Sequence, residues 1–386
     1  MAGPRDILSP FNRYVASVTE VLPLKNNALN AVLFIGTTKT EELRAYSGAI
    51  SNAEIEKIST VKELTDKISK ALSQKDIGGN AILPERFYVA GFELETGSIN
   101  DVEMMIKKAV VDYQAQAITV VFDNPKSVLA KEGFIESFET ILNSWDSWAI
   151  FTIDSIDEVK EQMKSNSNSR IILIKSHKTG ENTYEKNSDA ALAGRVIFFG
   201  VGKVDGEAKE LYGITTDKLS IAEGDGGDLT VSEATKWTDD NNINIYVQTV
   251  DMKNETSGMK LLSGKEFINS WELTKVKLDL RNDLIDFRHN NERLGVSDLD
   301  ESQVRGIIID RLNRLKINTE DPKLNPNGIL VDYIVKSIPL DRTLEDNIFK
   351  FKFSIKVSLS GILKYFDLSI TGYTDGRILV NEGGAE

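Results

Sequence analysis

Hydrophobic and polar residues alternate most strictly near the end of the chain. Between residues 349 and 360 every odd position is apolar, and every even position is lysine or serine. Residues spaced two apart lie on the same face of a β-strand. The pattern therefore predicts a half-buried antiparallel strand, preceded by a strand at Leu330–Ile338 and followed by a returning strand that contains Phe366 and Ile370.

Shorter β-like segments lie near both ends of the chain. Within Arg13–Leu22, Tyr14, Ala16 and Val18 alternate with residues of the opposite face. After the turn-like run Gly372–Gly376, residues Arg377–Asn381 are again β-like, and we expect no partner strand for them within the chain.

The middle of the chain alternates short apolar runs with helical patterns. Such alternation favours an α/β layer with a mostly parallel sheet over residues 50–180, followed by a C-terminal α+β region. The expected strands are Leu29–Gly36, Arg86–Phe92, Ala117–Phe122, Trp148–Ile153 and Arg170–Ser176. Among the other expected features are an extended segment at Glu54–Ser59, a helix from Val61 opened by a capping box at Thr60–Glu63, one helix over Ser127–Asn143, and a loop at Lys178–Ser188.

Charge and composition exclude several classes of function. The 386 residues include 46 Lys and Arg against 59 Asp and Glu, a net charge of −13. Residues 261–386 carry only −2 of it, and residues 1–260 carry −11. An acidic protein is a poor candidate for binding nucleic acid, which requires clustered Lys and Arg. The absence of cysteine excludes disulfides, thiolate nucleophiles and thiolate metal sites. We also expect neither an export signal nor a membrane span.

No catalytic motif emerges from the polar residues. The glycines of Phe199–Gly206 are out of register for a dinucleotide-binding loop, and the chain has no phosphate-binding loop of the GxxxxGK[ST] type. The acidic run Glu223–Asp228 lacks calcium-loop spacing, and His177 and His289 do not form a recognisable metal or catalytic pattern. We therefore expect neither enzymatic activity nor a cofactor or metal.

The lysines of the alternating strand are the clearest surface feature. Lys350, Lys352 and Lys356 share one face of the predicted strand. This row is either the solvent side of a half-buried sheet or a contact with an acidic neighbour.

The order of segments resembles the contractile tail sheath proteins of myophages and related phage-tail-like particles. The likeness spans most of residues 12–376. It rests on the N-terminal β segment leading to Ala31–Gly36, the α/β middle, Asp189–Arg195 before a strand, Gly264–Ile268 opening a long helix, and the β-rich end at Ile370–Tyr373.

The resemblance implies a layout and an assembly. The expected regions are an N-terminal arm with the first strand (1–28), a peripheral α/β domain (29–190), an α+β sheath assembly domain (191–376) and a C-terminal arm (377–386). The protein would polymerise as stacked six-fold rings around a tail tube and contract to drive the tube through the target envelope. Its other partners would be baseplate and tail terminator proteins. It would be made in the bacterial host cytoplasm and reside in the virion or a tail-like particle.

Particular residues receive roles from the same resemblance. The inter-subunit strand arms would use Tyr14, Val15, Ala16, Val18, Val21, Ile378, Leu379 and Val380. Gly372 and Gly376 are candidate hinges, and Lys350, Lys352 and Lys356 are candidate contacts to the tube or to another subunit. The alternatives are another tail or baseplate structural protein, and a soluble α/β enzyme with an unrecognised site.

Overall fold

The chain contains two compact units: one comprises residues 25–267, and the described part of the other lies within residues 268–386. The structure, a computed structural model, describes residues 31–38, 42–75, 81, 83–84, 86–92, 97–112, 118–154, 156, 169–180, 183–196, 231–248, 254–256, 259–290, 298–317, 328–338, 350–359, 365–373 and 378–383. The expected boundary between residues 190 and 191 falls inside the first unit.

The first unit is built on a six-stranded sheet. Its strands are β1 (Ala31–Gly36), β2 (Arg44–Ser47), β3 (Arg86–Gly91), β4 (Ile118–Phe122), β5 (Trp148–Ile153) and β6 (Ile171–Lys175). The helices are α1 (Asn52–Ile55), α2 (Lys62–Leu72), α3 (Ile99–Asp112), α4 (Pro125–Leu129), α5 (Phe134–Ser144), α6 (Ser188–Val196) and α7 (Val231–Asn241). Two small hairpins complete it, β7 (His177–Gly180) with β8 (Thr183–Glu185) and β9 (Tyr246–Gln248) with β10 (Asn254–Thr256).

The sheet has the order β2-β3-β1-β4-β5-β6. All neighbouring strands are parallel except β2, which is antiparallel to β3. Each residue of β1, β4, β5 and β6 is buried, as expected for parallel strands covered by helices on both faces. The strands predicted from the apolar runs are therefore confirmed.

Helix α6 is held against α2 by a buried ion pair. Lys67 Nζ lies 2.6 Å from Asp189 Oδ2, and both side chains are almost fully buried. The Asp189 backbone N–H also donates to Thr152 Oγ1 on β5. Further along α6, a methyl group at Gly194 would overlap the backbone of Ala71 at the end of α2. The Asp189–Arg195 segment is thus a buried helix. An ion pair with Lys67 holds one end against α2, and the other end packs closely against the backbone of Ala71.

Two predicted local features are wrong at the start of this unit. Glu54–Ser59 is not extended, because Asn52–Ile55 forms helix α1 and the Ser51 N–H donates to Glu54 Oε2 at 3.0 Å. Helix α2 follows Val61 without a side-chain cap, so the capping box lies at Ser51 and Glu54 and not at Thr60–Glu63.

Two other predictions fail further along the chain. The helix expected over Ser127–Asn143 is divided into α4 and α5, and Gly133 between them has a left-handed φ of 70°. The loop expected at Lys178–Ser188 contains most of the hairpin β7–β8 and the first residue of α6. A helical period alone cannot show such a break, because the apolar positions remain in phase across it.

The second unit combines two helices with an antiparallel sheet. Its helices are α8 (Phe267–Asn290) and α9 (Asp298–Leu315), and its strands are β11 (Leu330–Ile338), β12 (Lys350–Leu359), β13 (Tyr365–Tyr373) and β14 (Ile378–Gly383). The four strands pair in chain order.

Helix α9 connects α8 to the sheet. Arg311 forms a two-pronged hydrogen bond with Asp283 of α8, with 2.6 Å between Nε and Oδ2, and this bond raises the pKa of Arg311. At the end of α9, the Ile317 N–H donates to the Leu330 carbonyl of β11 at 2.8 Å. No helix within the described ranges is both long enough and apolar enough to cross a membrane.

We predict opposite stability effects for two glycine substitutions. Gly194→Ala should lower the free energy of unfolding by about 1–3 kcal/mol, because the new methyl group meets backbone atoms that cannot rotate away. Gly306→Ala, in the exposed middle of α9 where the methyl group meets open space, should raise it by about 0.5–1 kcal/mol. Urea denaturation of the full chain measures both. A Gly194→Ala protein as stable as the unaltered chain would contradict the α2–α6 contact.

Candidate assembly surface

The sheet of the second unit has one apolar and one polar face. The apolar face of β12 carries Phe353, Ile355 and Val357, all with no exposed surface. The register places Val335 of β11 opposite Ile355, and Ile370 of β13 opposite Phe353. This face therefore belongs to the core of the unit.

The other face carries lysines and hydroxyl side chains. Ile334 of β11 is paired with Lys356 of β12, and Lys336 is paired with Ser354. Lys336 and Lys356 are exposed, and Ile334 keeps 46% of its surface exposed. Asp332, also on this face, forms an ion pair with Lys316 at 3.1 Å, which lowers the pKa of Asp332.

Of the three lysines singled out from the sequence, Lys356 is the one whose side chain the structure describes, and it is exposed on this face of β12. Lys350 is paired with Tyr373 of β13, and Lys352 is paired with Thr371. Lys356 lies between Ile334 of β11 and Asp367 of β13.

Strand β11 is the first edge of the sheet. On its outer side it meets the chain at Leu330, which pairs with Lys316 in an isolated parallel bridge. No described strand pairs with the outer side of residues 331–338. This edge offers a long row of backbone N–H and C=O groups to an incoming strand.

Strand β14 is the second edge. Ile378, Leu379 and Val380 pair with Gly372, Thr371 and Ile370 of β13. The expectation that Arg377–Asn381 has no partner within the chain is therefore wrong. Only four residues separate β13 from β14, a length typical of a hairpin loop, so β14 returns beside β13.

Other candidate residues lie outside the described ranges. Tyr14, Val15, Ala16, Val18 and Val21 of the proposed N-terminal arm are among them. Gly376 lies outside them too, whereas Gly372 is a strand residue paired with Phe351 and Ile378.

Ile334 and Lys336 are surface residues that sequence reasoning missed. Leu330–Ile338 is recognisable as a strand, but apolar and polar residues are mixed on both of its faces. The face of each residue emerges only from the pairing with β12, whose alternation is strict. Aligning the two strands by that alternation would have been the available signal.

The first unit places polar groups where α/β folds commonly bind ligands. In an open parallel sheet, that crevice lies at the carboxyl ends of strands on either side of the point where strand order reverses. Here β1 lies between β3 and β4, so the crevice would lie beyond Gly36 and Phe122.

Asp123 occupies this position. Its carboxylate accepts the Thr37 N–H at 2.9 Å and the Asn124 N–H at 2.6 Å. A methyl group at Gly36 would overlap this carboxylate. Burial raises the pKa of Asp123, although the two N–H donors act in the opposite direction. The backbone donors at the reversal point are thus already used by the chain's own side chain.

Histidine and acidic residues are the other side chains of this protein that could bind a metal ion. His177 begins β7, His289 lies near the end of α8, and Glu223–Asp228 lies outside the described ranges. Among the residues that the structure describes, no group of three or more His, Asp or Glu is placed to hold a metal ion.

Solved structures similar to this chain come from contractile injection systems. A chain in the six-fold symmetrised cryo-EM structure of the anti-feeding prophage baseplate has a TM-score of 0.50 and 12% identity, with 87% of this chain and 90% of that chain covered. A chain in the contracted baseplate of the same particle has a TM-score of 0.50 and 10% identity, with coverage of 89% and 93%. A chain of its contracted helical sheath has a TM-score of 0.47 and 12% identity, with coverage of 86% and 92%.

Comparisons of the amino-acid sequence with known families and proteins find no relative. No protein-family model matches the chain, and no curated protein matches it. The structural likeness covers about nine-tenths of both chains and shows a shared mixed α/β fold. The resemblance to contractile tail sheath-like proteins predicted from the sequence is confirmed at this level.

We predict a pH-dependent stability effect for Asp123→Asn. Because the folded pKa of Asp123 is raised, its carboxyl group stabilises the fold below its unfolded pKa of about 3.9 and loses this contribution as pH rises through the folded pKa. The free energy of unfolding of the unaltered chain, relative to Asp123→Asn, should therefore fall as pH rises above about 4. Urea denaturation at a series of pH values measures this difference.

Asp101→Asn is the control with the opposite sign. Hydrogen bonds from the Ser98 backbone and hydroxyl hold the pKa of Asp101 below its usual value. Its contribution should be present above the unfolded pKa and lost as pH falls. A difference for Asp123→Asn that grows with pH would contradict the raised pKa.

Proposed function

We propose that this protein is the structural subunit of a contractile tail sheath. It polymerises as stacked hexameric rings around a tail tube, and contraction drives the tube through the target envelope. In this role the chain performs no catalysis and requires no cofactor or metal.

The fold likeness to anti-feeding prophage baseplate chains carries the proposal, because it extends over nearly the whole of both chains. A likeness confined to the α/β unit would be compatible with many unrelated functions. Coverage of 87–89% of this chain exceeds what residues 25–267 alone could supply, which supports a role in the same kind of particle.

Strand addition at a sheet edge supplies the contact between subunits. The outer edge of β11 supports this step, since residues 331–338 have no strand partner within the described part of the chain. An extended segment can add to such an edge through backbone hydrogen bonds. The N-terminal arm, with Tyr14, Val15, Ala16, Val18 and Val21, is the candidate incoming strand.

The C-terminal strand takes part in the same exchange. Ile378, Leu379 and Val380 pair with the chain's own β13 in the isolated subunit. In the assembly, the same residues pair with an equivalent strand of a neighbour, which substitutes one set of backbone hydrogen bonds for another. Head-to-tail contacts of this kind do not close and generate a helical tube.

Contraction is driven by contacts between subunits, while each fold stays intact. Burial of apolar surface contributes about 25 cal/mol per Å², so a small gain per subunit becomes large over many copies. Gly372 and Gly376 provide hinge points for the C-terminal arm.

The remaining assignments follow from this role. The α/β region (29–190) is peripheral, residues 191–376 form the assembly domain, and residues 1–28 and 377–386 are arms. Lys350, Lys352 and Lys356 contact the tube or another subunit, and exposed Lys356 supports this assignment. The other partners are baseplate and tail terminator proteins, and the protein resides in a virion or tail-like particle after synthesis in the bacterial cytoplasm.

A structural role in the baseplate is the second candidate function. Two similar structures, each with a TM-score of 0.50, are described as baseplates. Electron microscopy of the purified chain distinguishes the two roles: long hollow tubes support a sheath, and short rings or caps support a baseplate part.

An α/β enzyme is the less supported alternative. The crevice where such an enzyme would bind its ligand contains Asp123, hydrogen-bonded to the Thr37 and Asn124 backbone. A substrate would have to displace this carboxylate from both donors.

Removing residues 1–22 should abolish assembly while leaving the fold intact. The arm precedes the first strand of the sheet, so the truncated chain should remain a soluble monomer with an unchanged circular dichroism spectrum. Negative-stain electron microscopy of truncated and full chains at equal concentration measures tube formation. Long tubes formed by the truncated chain would contradict the role of the arm.

Gly376→Pro should produce sheaths that assemble poorly or remain in one state, because proline fixes φ at the proposed hinge. Lys350→Ala is the comparison, and it should mainly change the salt dependence of assembly. Electron microscopy before and after a contraction trigger measures both. Normal assembly and contraction of Gly376→Pro would remove the hinge from the mechanism.

A further inference from the structure

The polar face of the β11–β12 pair has the composition of a docking surface for an acidic partner. We infer that the partner is a second copy of this chain, which contributes carboxylates of its 25–267 unit to Lys336 and Lys356 around Ile334. This inference rests on the proposed sheath function and identifies the neighbour that the lysine-bearing face contacts.

Ile334 distinguishes this face from the ordinary solvent side of a sheet. Among the described residues of the second unit whose burial is known, it is the exposed large hydrophobic side chain, with 46% of its surface accessible. It is paired with Lys356, and Lys336 lies two positions along the same strand. An exposed apolar residue with lysines beside it on its own strand and on the neighbouring strand is an arrangement that a complementary partner can cover.

The charges of the face are predominantly positive. Among the side chains that the structure describes, the exposed Lys336 and Lys356 share it with Asp332. Asp332 is already paired with Lys316. Within the described residues Lys336 forms no ion pair, so its ammonium group can bind a carboxylate of another molecule.

The other unit of the same chain has the complementary charge. Residues 25–267 hold 27 Lys and Arg against 38 Asp and Glu, a net charge of −11, whereas residues 268–386 carry −2. In a head-to-tail assembly every lysine-bearing face is surrounded by neighbouring copies, so the acidic unit is present at high local concentration. A second copy therefore has a negative charge complementary to the lysines, and in the assembly it lies close enough to contact them.

Zero-length cross-linking identifies the occupant. Tubes assembled from an equal mixture of ¹⁴N- and ¹⁵N-labelled chains are treated with a carbodiimide, which joins a lysine amine to a carboxylate in direct contact. Mass spectrometry should find mixed-isotope peptides that link Lys336 or Lys356 to Asp or Glu residues within 25–267. The same reaction is then carried out on tail-like particles that contain the tube. In these particles the tube protein competes with the second copy of this chain for the lysines.

Charge reversal provides a second measurement. Lys336→Glu should raise the concentration needed for assembly by about two- to fivefold at low salt, as expected for an exposed charge contact, and should weaken its salt dependence. Arg305→Glu, which changes the charge equally at an exposed position of α9, should leave that concentration unchanged. Ile334→Ser should raise it without changing the salt dependence.

Three results would overturn the inference. They are cross-links from these lysines only to the tube protein, cross-links only within one isotopic copy, or equal effects of Lys336→Glu and Arg305→Glu. None of them affects whether the chain forms tubes. Failure to form tubes under any condition would instead contradict the proposed sheath function.

Discussion

A sheet that does not close on itself leaves unpaired backbone N–H and C=O groups along its edges, and this constraint organises both units. At the β6 edge of the first unit, Asn244 takes up the free groups: its backbone bonds to Leu173 and Lys175, and its side chain bonds to Leu173 and Lys260. Leu262 donates to Ile171 at the other end of β6. These contacts limit further strand addition at this edge. The β11 edge differs, because within the described ranges the backbone pairs with its outer side only at Leu330.

The described parts of the two units also differ in the interactions that they contain. The first unit contains interactions whose loss would strongly destabilise its fold. They include the buried Lys67–Asp189 ion pair and the packing of Gly194 against Ala71. The second unit presents backbone groups, lysines and a half-exposed isoleucine at its surface. Under the proposed sheath function, a lattice of such subunits would rearrange through the second set of contacts while the first set keeps each subunit intact.

Much of the fold is predictable because the burial of each strand determines its pattern of apolar and polar residues. β12 has strict alternation since one face lies in the core, and its predicted and observed extents agree. The strands β4 and β5 are continuous apolar runs because helices cover both faces of a parallel sheet. Helix α8 begins at Phe267, within the segment Gly264–Ile268 where a long helix is expected to open.

Predictions failed where the local sequence is compatible with more than one structure. Ser51 and Thr60 both precede a plausible first turn, and only the coordinates show that Ser51 bonds to Glu54. The surface was harder still to predict, because the exposure of Ile334 depends on which strands pair and where the sheet ends. The position of Asp123 at the point where strand order reverses likewise depends on the order of strands, which sequence periodicity does not contain.

The chain-order pairing of β11 to β14 also has a kinetic consequence. Each pairing in this sheet joins segments that are close in sequence, such as Gly372 with Ile378, whereas β1 must find β4 across the whole stretch from Ala31 to Ile118. Local hairpins form in about 1–10 μs, while pairings distant in sequence must first overcome the entropy of closing long loops. A terminal hairpin strand that detaches can therefore re-pair much faster than the α/β unit can refold.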